Sequence, residues 1–587
     1  MTAHIGRAAT RPPGLGDIEA WRSLWRPAIR DIRLGHGTWR CTAPRSILIV
    51  LVILLAAACG ALPNQPATPS PLGQTGEKVI LPTLVRTSPS MASATPVSPT
   101  GTATPPPSPT ATPVSDTPTA RPATQTPTPL PTSVPASKTP SPMPPTPTRT
   151  PTAPPPTSTP LPPAVSLRQG SVVVAAYPYD QYVTMVMTPT YTMSYPRLDW
   201  QAYEAASPRP TPRTFSAIIM ENEYLRVTVL PDLGGRIYQA IFKPTGHNIF
   251  YQNPVLKPTH WGNETQGWWL AAGGMEWCLP VDEHGYEWGM PWGYRTAQSS
   301  DQVSVTVWDT QEGGRIQARV TISLDAGRSY FTVSPRIENA GGQAVRYQFW
   351  LNAMLASGGT NHVGEATEFI LPTDQVTIHS TGDRSLPQAG QAMSWPRYHD
   401  RVMSLYGTWR AFLGVFARPR AMAGFMGAYD HAGGEGVLRI FPPDVAPGAK
   451  LFGAKGLDES QWTDDGSAYF ELHGGVTPTF WDYTTLAPGG VITWSERWYP
   501  YLAIGPVEAA NDQAALSLDA VQGGYRLGVA VTRPLSGRVI LEAGGREIWS
   551  QAVSLTPAQP FVQTVSTNAG SVALRLVDEQ GRVVIGQ

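Results

Sequence analysis

The chain reads as all-β: a large antiparallel β-supersandwich and a small C-terminal β-sandwich, set behind a disordered Pro/Thr-rich stalk. Three observations predict this. After residue 165, short alternating runs recur, such as Leu225-Arg226-Val227-Thr228-Val229 and Ile316-Gln317-Ala318-Arg319-Val320-Thr321-Ile322, the pattern of strands with one face buried. Gly, Pro, Asn and Asp interrupt them at short intervals, and no long segment repeats with a 3.6-residue period. The 62 prolines and 55 glycines, against only 15% charged residues, suit a turn-rich β protein joined to a long tract that does not fold.

Residues 1–58 are expected to be an export signal. Ser46 to Ala58 is an apolar run behind Arg40 and Arg45, shorter than the ~20 residues a membrane-spanning helix needs. Ala56-Ala57-Ala58-Cys59, with Leu55 ahead, resembles a bacterial lipobox, which implies lipidation of Cys59 and a mature protein held at the cell surface. A membrane anchor, or an ordinary signal with a chance cysteine, is the alternative. Residues 59–165 form the linker, mostly Pro, Thr, Ser and Ala. Such a composition buries too little apolar area to offset chain entropy. Fully extended as polyproline II, at about 3.1 Å per residue, the tract would reach roughly 300 Å.

The supersandwich is assigned to 166–505 and the accessory sandwich to 506–587, where alternation restarts at Tyr525-Arg526-Leu527-Gly528-Val529-Ala530-Val531. Forty-three basic and 43 acidic residues cancel, so no global field would recruit nucleic acid. Of the three cysteines, Cys41, Cys59 and Cys278, the last is alone in the globular part and reads as a buried apolar residue. No phosphate-binding loop, dinucleotide fingerprint or serine-hydrolase elbow stands in a suitable context, and no HxH or HExxH spacing supports a metal. No cofactor is expected.

Pro231-Asp232-Leu233-Gly234-Gly235-Arg236-Ile237 resembles the opening strand and turn of galactose-mutarotase-like domains. Phe250–Pro258, Gly273-Gly274-Met275-Glu276-Trp277, Tyr429-Asp430-His431, Pro447–Leu451 and the block 469–500 extend the likeness over most of 200–503. They are most similar to a bacterial domain-of-unknown-function family within that superfamily. The resemblance implies a carbohydrate ligand and a carboxylate base at the position of Glu471, in Tyr469-Phe470-Glu471-Leu472-His473. Ring opening needs a base at the anomeric hydroxyl and an acid at the ring oxygen. The chain departs from the mutarotase pattern: Leu472-His473 follow the base, and the strand comparable to the acid histidine's reads Trp350-Leu351-Asn352-Ala353-Met354.

These departures point toward a glycoside hydrolase or lyase, with Glu471 and Glu276 transferring protons and His284 assisting. A non-catalytic glycan-binding lipoprotein and a sugar epimerase are the alternatives. The structural alternative for Glu276 is an ion pair with Arg236 or Arg295. Trp261, Trp268, Trp269, Trp277, Trp288 and Trp292 crowd one stretch. Indoles pack well on sugar C–H faces, so Trp268, Trp269, Trp277 and Trp292 are expected to line a sugar cleft. Arg236, Asn352, His362 and His473 complete the expected lining. Each of these tryptophans also fits a plug for the mouth of a large sandwich.

Overall fold

The structure is a computed structural model that describes residues 164–587, apart from 264, 282, 312 and 419–422. The apolar run 46–58, Cys59 and the Pro/Thr-rich tract lie outside the described residues. Within them the regular secondary structure is almost wholly strand. Two large sheets dominate, one of thirteen strands and one of nine.

The nine-stranded sheet shows the period of two that its sequence predicts. Ile316–Asp325 and Phe331–Asn339 alternate buried and more exposed residues along their length, one side toward the core and one toward water. The centre of the thirteen-stranded sheet differs. Leu413–Ala417, Gly448–Gly453, Phe470–Gly475, Trp350–Leu355 and Trp269–Cys278 lie side by side in that order, and every residue in them is buried. Both faces of these strands are covered. One faces the nine-stranded sheet, and on the other the loop segments carrying His284 and Phe480 close over the strands.

The thirteen-stranded sheet also curls back on itself. Trp269–Cys278 continues through Gln252–Thr259, Ser166–Ala176, Thr211–Glu221 and Leu225–Leu230 to Arg236–Phe242, and this last strand pairs again with the first at Ile237–Met275. Gly273 and Gly274 permit that closure. Both have positive φ (81° and 78°), and a Cβ on Gly274 would collide with the Ile237 carbonyl oxygen, so only glycine fits. The closure puts Arg236 beside Glu276.

Residues 509–586 form two further four-stranded sheets packed face to face. Leu516, Leu527, Val529, Val539, Leu541, Leu574 and Leu576 are fully buried between them. This small sandwich is fastened to the large one by Tyr499 Oη, which donates to the Asn511 carbonyl at 2.9 Å, and by Arg526, which donates to the carbonyls of Ile504 and Ala503 at 2.7 and 2.6 Å. Among the described residues no helix is long and apolar enough to cross a membrane.

Candidate functional site

Register assembles the site. Glu276 pairs with Asn352, Asn352 with His473, and His473 with Lys450, so four neighbouring strands each contribute one residue to a single transverse row. Glu471 precedes His473 by two and shares its face. Gly474, between His473 and Gly475, faces the opposite way, where a Cβ would meet the Arg439 guanidinium of the nine-stranded sheet. The row therefore occupies the side turned away from that sheet. Beside it, Trp350 lies flat over Gly475, whose missing Cβ makes room for the indole.

Hydrogen bonds join the row into one network. Asn352 Nδ2 lies 3.2 Å from Glu471 Oε1 and 3.5 Å from Glu276 Oε1, so one amide bridges the two carboxylates. His473 Nε2 is 2.9 Å from Glu471 Oε2 and 3.3 Å from Lys450 Nζ. The neutral ring can donate to the carboxylate or accept from the ammonium at that nitrogen, but not both at once. Glu276 is fully engaged: Oε2 receives Arg236 Nη2 and the Trp269 indole N–H, each at 3.1 Å, and Oε1 sits 2.6 Å from His284 Nδ1.

His284 arrives on a loop, not a strand. The chain turns at Glu283 (φ 57°) and Gly285 (φ 63°), and Tyr286 N donates back to the Leu279 carbonyl. This folds the imidazole onto Trp269, with ring centroids 4.2 Å apart and planes 17° from parallel. Nδ1 is the ring nitrogen held by Glu276, which leaves Nε2 on the other side of the ring.

The electrostatics are divided. Burial opposes the Glu471 anion, but the hydrogen bond and charge of His473, with Lys450 and His284, hold its carboxyl down at about 2. Burial likewise disfavours the His284 cation, yet Glu276 outweighs it and raises the imidazole above its usual value. His473 is pushed down to about 4 by burial and by Lys450, against the pull of Glu471. Burial raises the Glu283 carboxyl, against the nearby Lys450 and His284. The site thus sets a firm carboxylate against an imidazole biased toward its cation, the separation that acid–base chemistry uses.

Several expected site residues meet here: Glu471, Glu276, His284, Arg236, Asn352, His473 and Trp269. Arg236 and Trp269, expected to line a sugar cleft, are fully buried: the guanidinium is taken by Glu276 and the carbonyls of Leu233, Gly273 and Trp288, and the indole lies against His284. Glu276 is sealed in an ion pair with Arg236 (side chains 1% and 0% exposed), and its other oxygen is held by His284, so both of its oxygens are engaged within the protein. The expected indole-walled cleft is corrected more broadly. Trp268 donates its N–H to the Pro196 carbonyl and stands edge-on to Trp288 at 4.8 Å, and Trp277 donates to the Gly235 carbonyl. Both are 1% exposed, and Trp292 is 5% exposed. All three pack into the core: the Trp268 and Trp277 N–H groups are met by backbone carbonyls, whereas the Trp292 N–H is buried without a partner. His362 lies at the surface, where Nδ1 accepts from Ala468 N at 2.9 Å, outside the network.

Lys450, Glu283 and His379 escaped the sequence reading. Lys450 carried the same signal as Glu471, a charge inside an apolar strand (Ala449-Lys450-Leu451-Phe452). His379, on the strand Gln375–Thr381, places Nε2 3.9 Å from Glu283 Oε1; burial, Lys450 and His473 hold its imidazole well below the usual value. Among the described residues no group of three or more His, Cys, Asp or Glu is arranged to hold a metal ion.

The fold is all-β and similar to galactose-mutarotase-like structures. The chain belongs to the family described as a domain of unknown function (DUF5107), which matches residues 191–501. Residues 509–586 match the second domain of YphG-like proteins. Similar solved structures include a TPR-domain containing protein from Parabacteroides distasonis, at 22% identity and a TM-score of 0.48, covering 57% of this chain and 55% of that one. This chain therefore spans little more than half of that protein. A putative mutarotase (YeaD) from Salmonella typhimurium matches at 9% identity and a TM-score of 0.35, covering 55% of this chain and 97% of that one. A galactose mutarotase-like protein from Clostridium acetobutylicum matches at 12% and 0.37, covering 49% and 96%.

Proposed function

We propose that the row binds a sugar and moves protons at its anomeric carbon. Glu471 takes the proton of the anomeric hydroxyl; as that oxygen becomes a carbonyl, the bond from the anomeric carbon to the ring oxygen breaks. His284 gives its Nε2 proton to the departing ring oxygen. Reclosure on the other face of the carbonyl returns both protons. The single observation that carries this reading is the linked pair: the Glu471 carboxylate and the His284 imidazole, joined in one buried network through Asn352 and Glu276. A polar ligand is favoured further by two buried atoms of the row, Asn352 Oδ1 and His473 Nδ1, which lack a hydrogen-bond partner. Buried polar atoms are seldom left so, and sugar hydroxyls can both donate and accept.

Exchange between sugar anomers, followed by NMR, tests the assignment. The wild type should exceed the buffer rate, while Glu471→Gln and His284→Asn should each lose at least about 100-fold while still folding, as checked by circular dichroism. A wild type no faster than buffer, or an undiminished Glu471→Gln, would sink it.

A second reading is favoured by Glu283, whose raised carboxyl beside the Glu471 anion suits glycoside hydrolysis. Release of reducing ends that Glu283→Gln abolishes would support it. Sugar binding without any turnover would instead support a glycan-binding lipoprotein.

We also propose that the domain works at the cell surface, tethered through lipidated Cys59 and the Pro/Thr-rich tract. The leader and the extended composition support this. Cys59→Ser should move the protein from the membrane fraction to the soluble one, and an unaltered distribution would overturn the tether.

A further inference from the structure

The turn that follows the Glu471 strand carries a second feature. Thr479–Tyr483 is pinned from beneath by Gln348, itself fully buried, which donates from Nε2 to the carbonyls of Phe480 and Asp482 at 2.7 and 2.8 Å. Thr479 Oγ1 accepts from Trp481 N at 3.2 Å and donates to Asp482 Oδ2 at 2.7 Å. This backbone has little freedom. It sends Phe480 inward, edge-on to Trp350 at 4.8 Å and 4.4 Å from Lys450 Nζ. Trp481, the next residue, points outward.

Trp481 is 49% exposed, the only tryptophan among the described residues this open to solvent. It does not stand alone on the surface. Its ring tilts 35° to that of His379 at 6.2 Å and meets Phe416 edge-on at 5.4 Å. His379 in turn reaches Glu283, the neighbour of His284. The indole therefore sits at the rim of the network that holds the proposed acid and base. Beside it Tyr483 is 37% exposed, with the Arg346 guanidinium 4.0 Å above its ring. Arg418 Nη1 lies 3.5 Å from Asp482 Oδ2.

We propose that Trp481 is a stacking platform for a second sugar unit, so that the ligand is the end of an oligosaccharide chain rather than a lone monosaccharide. The inference rests on the sugar reading of the Glu471–His284 site. An indole face packs against the C–H face of a pyranose, and the flanking guanidinium and carboxylate groups supply hydrogen-bond donors and acceptors for its hydroxyls. A large ring held rigidly at the surface loses little freedom on binding, which favours recognition over mere coverage. The chemical class is a glycan with at least one sugar beyond the unit that reaches Glu471.

Isothermal titration of linear oligosaccharides and the matching monosaccharides tests the platform. Glu471→Gln serves as background, so that turnover does not interfere. Oligosaccharides should bind more tightly than their monosaccharides. Trp481→Ala should weaken the oligosaccharide at least about tenfold, and Trp481→Phe should restore most of that loss. Oligosaccharide affinity unchanged by Trp481→Ala, or equal affinity for one sugar and for several, overturns the platform while leaving the sugar site standing. Failure of every sugar to bind overturns both.

Discussion

Two buried arginine–glutamate pairs can be compared directly. Between the large sheets, Arg439 grips both oxygens of Glu496 at 2.6 and 2.7 Å, and Trp494 adds its N–H at 2.9 Å. Both side chains are fully buried. At the site, Arg236 spends only one nitrogen on Glu276. Its other contacts are the carbonyls of Leu233, Gly273 and Trp288, at 3.2, 2.9 and 3.1 Å. Glu496 is consumed by its arginine, whereas Glu276 keeps an oxygen for His284. The same two residue types thus make a structural rivet in one place and a positioning group in the other. What separates them is how many backbone carbonyls share the guanidinium.

The comparison breaks most readily at the rivet. Arg439→Met should cost about 3–5 kcal/mol in chemical denaturation, since it leaves the Glu496 charge buried without its partner. A loss below 1 kcal/mol would mean that the pair is not desolvated as its geometry indicates. Glu276→Gln should cost less, about 2–3 kcal/mol, because Arg236 retains three carbonyl acceptors. Its sharper signature is in pH. In the wild type the folded His284 value lies above the unfolded one, so its contribution is complete below about pH 6.5 and fades as pH rises through the folded value. Glu276→Gln removes the principal cause, and that decline in stability on the alkaline side should vanish. Stability measured across pH 5–9, with His284 titrated by NMR, checks both; a His284 value unmoved by the substitution would refute the positioning role.

Much of this was legible in advance, for definite reasons. Period-two alternation and dense turn residues predict strands because a half-buried sheet imposes that pattern locally. Glu471 stood out because a carboxylate among Tyr, Phe and Leu needs a partner. Glu276 was read either as a proton-transfer group or as the partner of an arginine, and it is found paired with Arg236. The tryptophans between 261 and 292 were not legible. A core indole and a sugar-stacking indole have the same sequence signature, and only the position of a backbone carbonyl, such as that of Pro196 or Gly235, separates them. Trp481 was overlooked for the converse reason: it stands outside the dense run, and its exposure follows from the Gln348 clamp beneath it. The meeting of Lys450 with His473 depends on strand order, which no local pattern encodes.

The transverse row draws single residues from segments nearly two hundred positions apart, at 276, 352, 450 and 473. A slip of one position in any of these strands would replace the contributed group with a neighbour facing the other way, Met275 or Trp277 for Glu276, Ala449 or Leu451 for Lys450. Such a centre has no half-built version. The row forms only once every strand has found its mate, so the activity proposed for it would report on correct folding of the entire β-scaffold.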